Sequence, residues 1–378
     1  MRILHLDPDD MGNPLSGGGP IRTYEICRRM AQRHEITVLT PTFEGSTPEL
    51  HRDGVRYLRL GRKIGDHGSS HHITFLMSLP RAVRHFDHEL LIEDFMPPAS
   101  TTWTPIFRHR DRPLIASVQW FHARSYTRML KLPFHWGEEF GVRMYDDFIV
   151  LSEEMKARIS ARHARANLRV IGNGVDDSLF AVPVQSGVGV LYLGRIEIGI
   201  KGIDLLLEAY ARIPESEREE LILAGNVQEP GPLQALIERL ALQNWVRVVG
   251  PYDAAGRTRL LANCRFAVMP SRSETFGMTI AEANAAARQT IIWDLPPMNE
   301  VASPSTLRVP AFDVDAYAAA MRKLLAMPPA HLAMLGEASR EYARRWDWDA
   351  VARAQEDFYL EVMDRHRNSK SRRFSRHA

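Results

Sequence analysis

Short apolar runs alternate with stretches of helical periodicity in the first half of the chain. Five of these runs have the length of strands: RILHL (residues 2–6), EITVLT (35–40), ELLIED (89–94), PLIASV (113–118) and DFIVLS (147–152). The segment PIRTYEICRRMAQR (20–33) instead places apolar side chains three and four residues apart, as on one face of a helix. Strands that alternate with helices predict a parallel α/β sheet.

A second series of the same kind begins near residue 187. Four segments are strand-like, and each precedes a helical stretch: VGVLYLG (188–194), ELILAG (220–225), VRVVG (246–250) and FAVMP (266–270). Asn173-Gly174 predicts a turn, and PVQSGVG (183–189) interrupts the periodicity. We therefore expect two doubly wound domains, 1–172 and 173–345. A C-terminal helix over 346–367 would pack back on the first domain, and a disordered basic tail would cover 368–378.

Two such domains in series predict a ligand cleft between them, since α/β sheets bind ligands at the carboxyl ends of their strands and at domain interfaces. The length of 378 residues fits two hydrophobic cores, and 45% hydrophobic with 25% charged residues is an ordinary globular balance.

The charge is unevenly distributed. The last fourteen residues hold six Arg or Lys and no acid, and without these cations the formal charge of +2 becomes −4. The body therefore gives no support for nucleic-acid binding. For the tail we expect a solvated segment, with a weak contact to an anionic membrane as the alternative.

The two cysteines, the N-terminus and the histidines bear on location and metals. Cys27 and Cys264 lie in apolar contexts, no long apolar leader follows Met1, and no segment has the unbroken apolar length of a membrane span. We expect a reduced cytoplasmic protein without disulfides, or one peripheral at the inner membrane face. His67, His71 and His72 lack a cysteine or acid at ligand spacing, so no metal site is predicted.

Three glycines, Gly17, Gly18 and Gly19, lie between the first strand and the first helix. Glycine lets the backbone approach a ligand closely, and a helix N-terminus favours an anion. The GxGxxG dinucleotide fingerprint is absent. A phosphate contact and a merely flexible loop are both compatible with this pattern.

Arg195 and Lys201 lie in the loop between the first strand and first helix of the second domain. Arginine offers a planar fork to phosphate oxygens and lysine a compact charge, so two cations in one such loop suit a diphosphate. Two solvated surface charges are the alternative.

Glu274 and Glu282 enclose the start of a helix in SETFGMTIAEANA (273–285). Carboxylates accept hydrogen bonds from the hydroxyls of ribose and hexose, and the N–H groups of Gly277 and Met278 would point toward a ligand. The alternative is an acid favoured by the helix dipole, followed by an exposed helical glutamate.

Three segments together resemble the donor half of family 4 glycosyltransferases with the GT-B fold: GRIEIGIKGIDLLLEAY (194–210), LAGN (223–226) and SETFGMTIAEANA (273–285). The most specific part is the Glu-x7-Glu element with its embedded Phe-Gly. The glycine loop and IGNGVD (171–176) also match, so the resemblance covers about residues 1 to 350. It implies an α/β GT-B architecture of two Rossmann-like domains that face a deep cleft.

The resemblance also implies roles. Arg195 and Lys201 would neutralise the diphosphate of a nucleoside-diphosphate sugar, and Glu274 would hold the transferred sugar near Phe276 and Gly277. Glu282 would hold the ribose, and Gly18 and Gly19 would approach the distal phosphate. The expected donor set is completed by Gly17, Asn226 and Met278. Family members retain anomeric configuration and need neither a divalent metal nor another cofactor.

One position departs from the family pattern. Val118 and Gln119 stand where many members have a histidine at the end of a strand, and His122 either substitutes for it or merely begins a helix. Glu93 and Asp94 are candidate acceptor-site acids, although solvated strand ends are the commoner outcome. Acceptor stacking is one expectation, and core packing the other, for the aromatic set Trp103, Trp120, Phe121, Tyr126 and Trp136.

These features predict a retaining glycosyltransferase that moves a sugar from a nucleoside diphosphate to an acceptor hydroxyl. The acceptor is left open among a glycan, a lipid-linked molecule and a small natural product. A nucleotide-sugar epimerase on the same scaffold and a non-catalytic nucleotide-sugar binding protein are the alternatives.

Overall fold

The computed structural model describes residues 1–13, 18–64, 70–95, 104–119, 121, 134–184 and 187–374. The chain forms two compact units. Unit 1 comprises Met1–Asn173 and Trp348–Ala378, and unit 2 comprises Gly174–Asp347. Helices and strands are numbered below in chain order.

Unit 1 is built on an eight-stranded sheet with the order β3-β4-β2-β1-β5-β6-β7-β8, in which only β3 is antiparallel to its neighbour. Every residue of β5, β6 and β7 is buried, which explains why apolar residues occupy consecutive rather than alternating positions in these strands. The strands are β1 (Arg2–Leu6), β2 (Glu35–Pro41), β3 (Glu49–Arg52), β4 (Val55–Leu60), β5 (Leu90–Asp94), β6 (Leu114–Val118), β7 (Asp147–Val150) and β8 (Asn167–Val170).

A hydrophobic core covers each face of this sheet. Leu91 and Phe148 belong to one core, and the next residues along their strands, Ile92 and Ile149, belong to the other. Helices supply the outer layers: α1 (Gly19–Met30), α2 (Ser70–His85), α3 (Thr104–Phe107), α4 (Phe134–Gly141) and α5 (Glu153–Ser160).

Unit 2 is a six-stranded, fully parallel sheet with the order β11-β10-β9-β12-β13-β14. Its strands are β9 (Val190–Leu193), β10 (Leu221–Ala224), β11 (Val246–Gly250), β12 (Phe266–Met269), β13 (Gln289–Trp293) and β14 (Leu307–Val309). Its helices are α6 (Asp177–Phe180), α7 (Ile203–Ala211), α8 (Pro230–Arg239), α9 (Ala254–Asn263), α10 (Met278–Ala285), α11 (Met298–Val301), α12 (Val314–Leu325) and α13 (Pro329–Ala343).

Helix α10 is buried on nearly its whole circumference, which its alanine-rich sequence permits. A Cβ atom added at Gly336 in α13 would lie 2.2 Å from the carbonyl oxygen of Ala287, just past the end of α10. This close approach lets α13 pack directly against the end of α10.

The last helix, α14 (Trp348–Phe374), belongs to unit 1. Phe358, Tyr359 and Val362 join the core that contains Ile92 and Ile149. For residues 368–374 the expected disordered tail is wrong, because α14 continues through Phe374 and this stretch contains no glycine or proline that would end a helix. Residues 375–378 of the predicted tail lie outside the described residues. Among the described residues, no helix has the length and apolar character needed to cross a bilayer.

Candidate functional site

Lys201 and Glu274 form an ion pair beyond the carboxyl ends of two neighbouring strands. Lys201 lies between β9 and α7, Glu274 lies between β12 and α10, and β9 pairs with β12 in parallel. Lys201 Nζ donates a hydrogen bond of 2.7 Å to Glu274 Oε1, and both side chains are largely buried. The structure thus brings together two of the residues expected to bind a donor.

Gly202 allows these two loops to approach each other. It is the N-cap of α7 and has a left-handed φ of 67°. A Cβ atom there would lie 2.1 Å from the carbonyl oxygen of Pro270, which follows β12. Only glycine fits this position, so Lys201 is held next to the loop that contains Glu274.

The neighbouring strand β10 contributes a second close approach. A Cβ atom at Gly225, whose φ is 146°, would lie 1.8 Å from the carbonyl oxygen of Gly194. The carbonyl oxygen of Asn226 accepts a hydrogen bond of 2.9 Å from the N–H of Ile196. Asn226 is exposed and lies beside the loop that contains Arg195.

Arg195 has a more open environment than Lys201. Its side chain is 54% exposed, and its Nη2 lies 3.2 Å from Glu197 Oε2. The hydroxyl of Tyr192 donates to the carbonyl oxygen of Arg195 at 2.7 Å. Burial and then Glu274 raise the pKa of Tyr192, while Arg195 opposes the rise. Arg195 and Glu274 therefore influence the same hydroxyl, although Arg195 pairs with Glu197.

The amino end of α10 has no side-chain cap. Gly277 is its N-cap with a φ of 102°, and Met278 is its first residue. The ring of Phe276 is buried and packs edge-on against Trp346 at 5.1 Å. The Phe276 side chain therefore supports the loop, while the N–H groups after Gly277 have no side-chain cap at the amino end of α10.

Glu282 is the centre of a second ion-pair group in unit 2. Arg257 in α9 donates from Nη1 to Glu282 Oε1 at 2.6 Å and from Nη2 to Asp176 Oδ2 at 3.1 Å. Burial raises the pKa of Glu282, and Arg257 opposes that rise. Burial, followed by Glu282, also raises the pKa of Tyr252 to about 12. Glu282 is thus a buried, held carboxylate and not the exposed helical glutamate of the alternative interpretation.

Sequence reasoning missed Arg257 and Asp176. Arg257 occurs in a helical stretch with several other polar residues, so its local pattern gives no sign of a contact 25 residues away. Asp176 belongs to the IGNGVD motif, which was the one available signal.

In unit 1, Gly18 is the N-cap of α1 and Gly19 its first residue, and no side chain caps this helix. Among the described residues, a Cβ atom at either glycine would meet no atom within 4 Å. Gly17 and His122 lie outside the described residues.

The acids at the end of β5 are buried, which corrects the expectation that such strand ends are usually solvated. Glu93 accepts a hydrogen bond from the hydroxyl of Tyr145. Asp94 accepts from Thr23 at 3.3 Å and lies 3.2 Å from His5 Nε2. Neither carboxylate is a freely exposed acceptor-site group.

Asp7, just beyond β1, joins this buried group. Its Oδ1 accepts from the N–H of Asp9 at 2.9 Å, whereas its Oδ2 has no partner among the described residues. Burial, followed by the charge of Asp94, raises the pKa of Asp7 to about 8. Cys27 Sγ lies 3.9 Å from His5 Nδ1, but burial and the two aspartates raise the pKa of this thiol, so it is no activated nucleophile.

The remaining expectations concern metals and aromatic side chains. Within the described ranges, no three His, Cys, Asp or Glu side chains gather as metal ligands. Phe121 is buried under Arg158 and Arg162, whereas Trp136 is 58% exposed. Trp103, Trp120, Tyr126 and His67 lie outside the described residues.

Two family models match the chain, one in each half. Residues 16–179 match "Glycosyltransferase Family 4", and residues 187–327 match "Glycosyl transferases group 1". The chain belongs to glycosyltransferase family 4. The order of the two matches follows the two units, so the resemblance seen in the motifs is confirmed for both halves.

Similar proteins include other transferases that act on sugars. This family 4 glycosyltransferase is 32% identical to D-inositol 3-phosphate glycosyltransferase 2 of Catenulispora acidiphila over 45% of the chain and 42% of that relative, less than half its length. It is 26% identical to glycogen synthase of Mycobacterium tuberculosis over 87% of each protein.

Solved structures establish the fold. Sucrose-phosphate synthase from Thermosynechococcus elongatus superposes with a TM-score of 0.79 at 21% identity, over 96% of this chain and 99% of the other. Anabaena HepE in complex with UDP and glucose superposes with a TM-score of 0.69 at 18% identity, over 94% and 98%. The family 4 glycosyltransferase therefore has the GT-B fold of two parallel-sheet α/β domains.

Proposed function

We propose that this chain transfers a sugar from a nucleoside-diphosphate sugar to an acceptor hydroxyl, with retention of anomeric configuration and without a divalent metal. The observation that supports this most directly is the Lys201–Glu274 ion pair at the carboxyl ends of β9 and β12. It joins a cation suited to a phosphate with a carboxylate suited to sugar hydroxyls.

The diphosphate would bind to the positive groups of unit 2. Lys201 has Glu274 as its hydrogen-bond partner, so a bound diphosphate would offer it a more highly charged anion. Arg195 is 54% exposed and pairs with Glu197 at 3.2 Å, and it would exchange this partner for the same phosphates. The uncapped N–H groups after Gly277 add positive potential on the sugar side.

The carboxylates would bind the flanking rings. Glu274, once Lys201 turns to phosphate, would accept hydrogen bonds from hydroxyls of the transferred sugar. Glu282 accepts from Arg257 through Oε1, and within the described part of the chain its Oε2 accepts no hydrogen bond. We assign this second oxygen to a ribose hydroxyl, with Arg257 fixing the carboxylate.

The chemistry follows from these charges. Lys201, Arg195 and the helix amides would stabilise the diphosphate as the anomeric bond breaks, which is the role that a metal ion has in metal-dependent transferases. A phosphate oxygen of the leaving group would take the acceptor proton on the same face of the sugar. Retention then needs no protein nucleophile.

The donor and acceptor stay open at the level of chemical class. HepE has the same fold and its structure holds UDP and glucose, so UDP-sugars are the first donors to test, followed by GDP- and dTDP-sugars. We assign the acceptor to unit 1 and propose a hydroxyl of a glycan, a lipid-linked molecule or a small natural product.

Turnover tests the proposal. Lys201→Ala should lower the rate of sugar transfer about a hundredfold, as loss of one transition-state donor does elsewhere. Lys323→Ala, an exposed lysine on α12, is the matched control and should retain the parent rate. NMR should show that the product has the same anomeric configuration as the donor. The result should be the same with and without a metal chelator.

Three outcomes would contradict parts of this assignment. Equal turnover by Lys201→Ala and the parent would show that the site is wrong. Inverted product would show that the mechanism is wrong. Epimerised donor in a reaction without acceptor would favour the epimerase instead.

A further inference from the structure

Unit 1 contains a cavity of about 640 Å³ at the end of its sheet that is opposite to Asp7 and Asp94. Leu114 and Asp147, which begin the adjacent parallel strands β6 and β7, line it. The C-terminal part of α14 forms another wall, through Arg365 and His366. Because the cavity lies at the amino ends of the strands of unit 1, it is separate from the carboxyl ends of those strands, where Glu93 and Asp94 lie.

Three arginines from three segments line this cavity: Arg108 after α3, Arg110 before β6, and Arg365 in α14. Two carboxylates, Asp146 and Asp147, face them. Asp147 Oδ1 accepts hydrogen bonds of 2.8 Å from both Arg365 and Asn167, so the charges of Asp147 and Arg365 offset each other. Asp146 is exposed.

The other two arginines have no carboxylate in ion-pair contact among the described residues. Within the described ranges, the Arg108 side chain makes one hydrogen bond, from Nη1 to the carbonyl oxygen of Arg112 at 2.7 Å, and its buried Nε has no acceptor. Burial lowers the pKa of this guanidinium, an effect that Asp146 partly opposes. A half-buried cation without an ion partner is costly, and an anion in the cavity would relieve that cost.

The arginine geometry and the cavity volume indicate which class of anion would bind there. Arginine forks match the paired oxygens of a phosphate. The volume is within the range of small-molecule pockets and exceeds what a phosphate group alone fills. His366 Nε2 donates a hydrogen bond of 2.8 Å to the carbonyl oxygen of Asp111, which fixes the imidazole ring at the cavity wall.

We propose that this cavity, which we name the amino-end cavity, binds the phosphate group of a phosphorylated molecule through Arg108 and Arg110. The phosphate belongs either to a free small molecule or to a lipid headgroup. This site is independent of the donor site in unit 2.

Binding of inorganic phosphate to the full chain tests the proposal, at ionic strength held constant with chloride. Calorimetry should show that Arg108→Gln with Arg110→Gln weakens binding by on the order of tenfold or more, as expected for loss of charge-assisted hydrogen bonds. Arg239→Gln, an exposed arginine on α8, should leave this binding unchanged. Arg110→Gln alone, at an exposed position, serves if the double variant fails to fold.

Vesicles distinguish the two sources of phosphate. If sedimentation with phosphatidylcholine vesicles that contain phosphatidic acid depends on Arg108 and Arg110, the headgroup is the ligand class. If the binding of inorganic phosphate depends on Arg108 and Arg110 but sedimentation with the vesicles does not, the ligand class is a free phosphorylated molecule. The proposal is overturned if phosphate and vesicle binding are the same in the parent and in the Arg110→Gln and double variants.

Discussion

Replacement of Arg257 by glutamine should damage unit 2 and the proposed donor site together. Arg257 holds Glu282 at 2.6 Å, and the side chains are 18% and 9% exposed, so the pair is well shielded from water. A hydrogen bond to a charged group contributes about 1.5–3 kcal/mol, and stranding a buried charge costs more. Since Glu282 can protonate instead of staying stranded, we expect a loss of about 2 kcal/mol in the free energy of unfolding.

The pH dependence gives this prediction its sign. Burial already raises the pKa of Glu282 above its ordinary value of 4.5, so its ionised form destabilises the folded unit at higher pH. Without Arg257 the folded-state pKa rises further. The stability deficit of Arg257→Gln should therefore grow as pH rises above about 4.5 and shrink on acidification, as Glu282 takes a proton.

Urea unfolding at several pH values and calorimetric binding of a nucleoside diphosphate sugar provide the assay. The matched control is Arg247→Gln, which breaks an exposed pair with Glu220 on the same unit and should change stability little. The double variant Arg257→Gln, Glu282→Gln should recover much of the stability but not the donor affinity. A stable Arg257→Gln with unchanged donor affinity, or a pH-independent deficit, would refute this reasoning.

Three further predictions concern packing, backbone and charge. Phe276→Ala removes a buried ring and should lower the free energy of unfolding by about 3–5 kcal/mol, seen as an earlier urea transition; an unchanged midpoint would mean that the ring is not packed as described. Gly202→Ala, at a φ of 67° and with no space for a Cβ, should weaken donor binding and lower the melting temperature, whereas Gly199→Ala, with no atom within 4 Å, should do neither. The folded-state pKa of Asp7 is about 8, so the folded chain retains a proton that the unfolded chain releases as pH rises from about 4 to about 8, and the parent loses stability over this range. Asp7→Asn should remove this loss. A parallel pH profile of stability in both proteins would contradict the prediction.

The fold was predictable where a strand is buried on both faces. β5, β6, β7 and β12 all contain consecutive apolar residues, and their positions agree with the sequence pattern within two residues. The hairpin of β3 and β4 was missed because β3 is exposed throughout and has no apolar run. Its signal was Asp53-Gly54, where both residues have positive φ, 49° and 79°.

Helix periodicity failed at one position of α1 for a reason that lies outside the helix. The pattern predicts Ile21 on the inner face, but Ile21 is 50% exposed and Arg22 is buried. The Arg22 guanidinium donates to Ile171 O and Gln355 Oε1, groups 149 and 333 residues away. No local pattern contains those partners, so the burial of an arginine here could not be read from the helix itself.

Some residues of the candidate site were likewise predictable from the sequence, and others were not. Lys201 and Glu274 were predictable because each follows a strand, and neighbouring parallel strands end at the same edge. Arg257 was not predictable, because its contact with Glu282 depends on how α9 and α10 pack. The unpaired arginines of the amino-end cavity likewise become visible only when the partners of each charge are known.

The central claim is that unit 2 binds a diphosphate through Lys201, and the affinity ratio between a nucleoside diphosphate and its monophosphate tests it most directly. Calorimetry on the parent should show a clear preference for the diphosphate form of whichever nucleoside binds, and Lys201→Ala should reduce that preference by on the order of tenfold. An equal ratio in the parent and in Lys201→Ala would contradict the account.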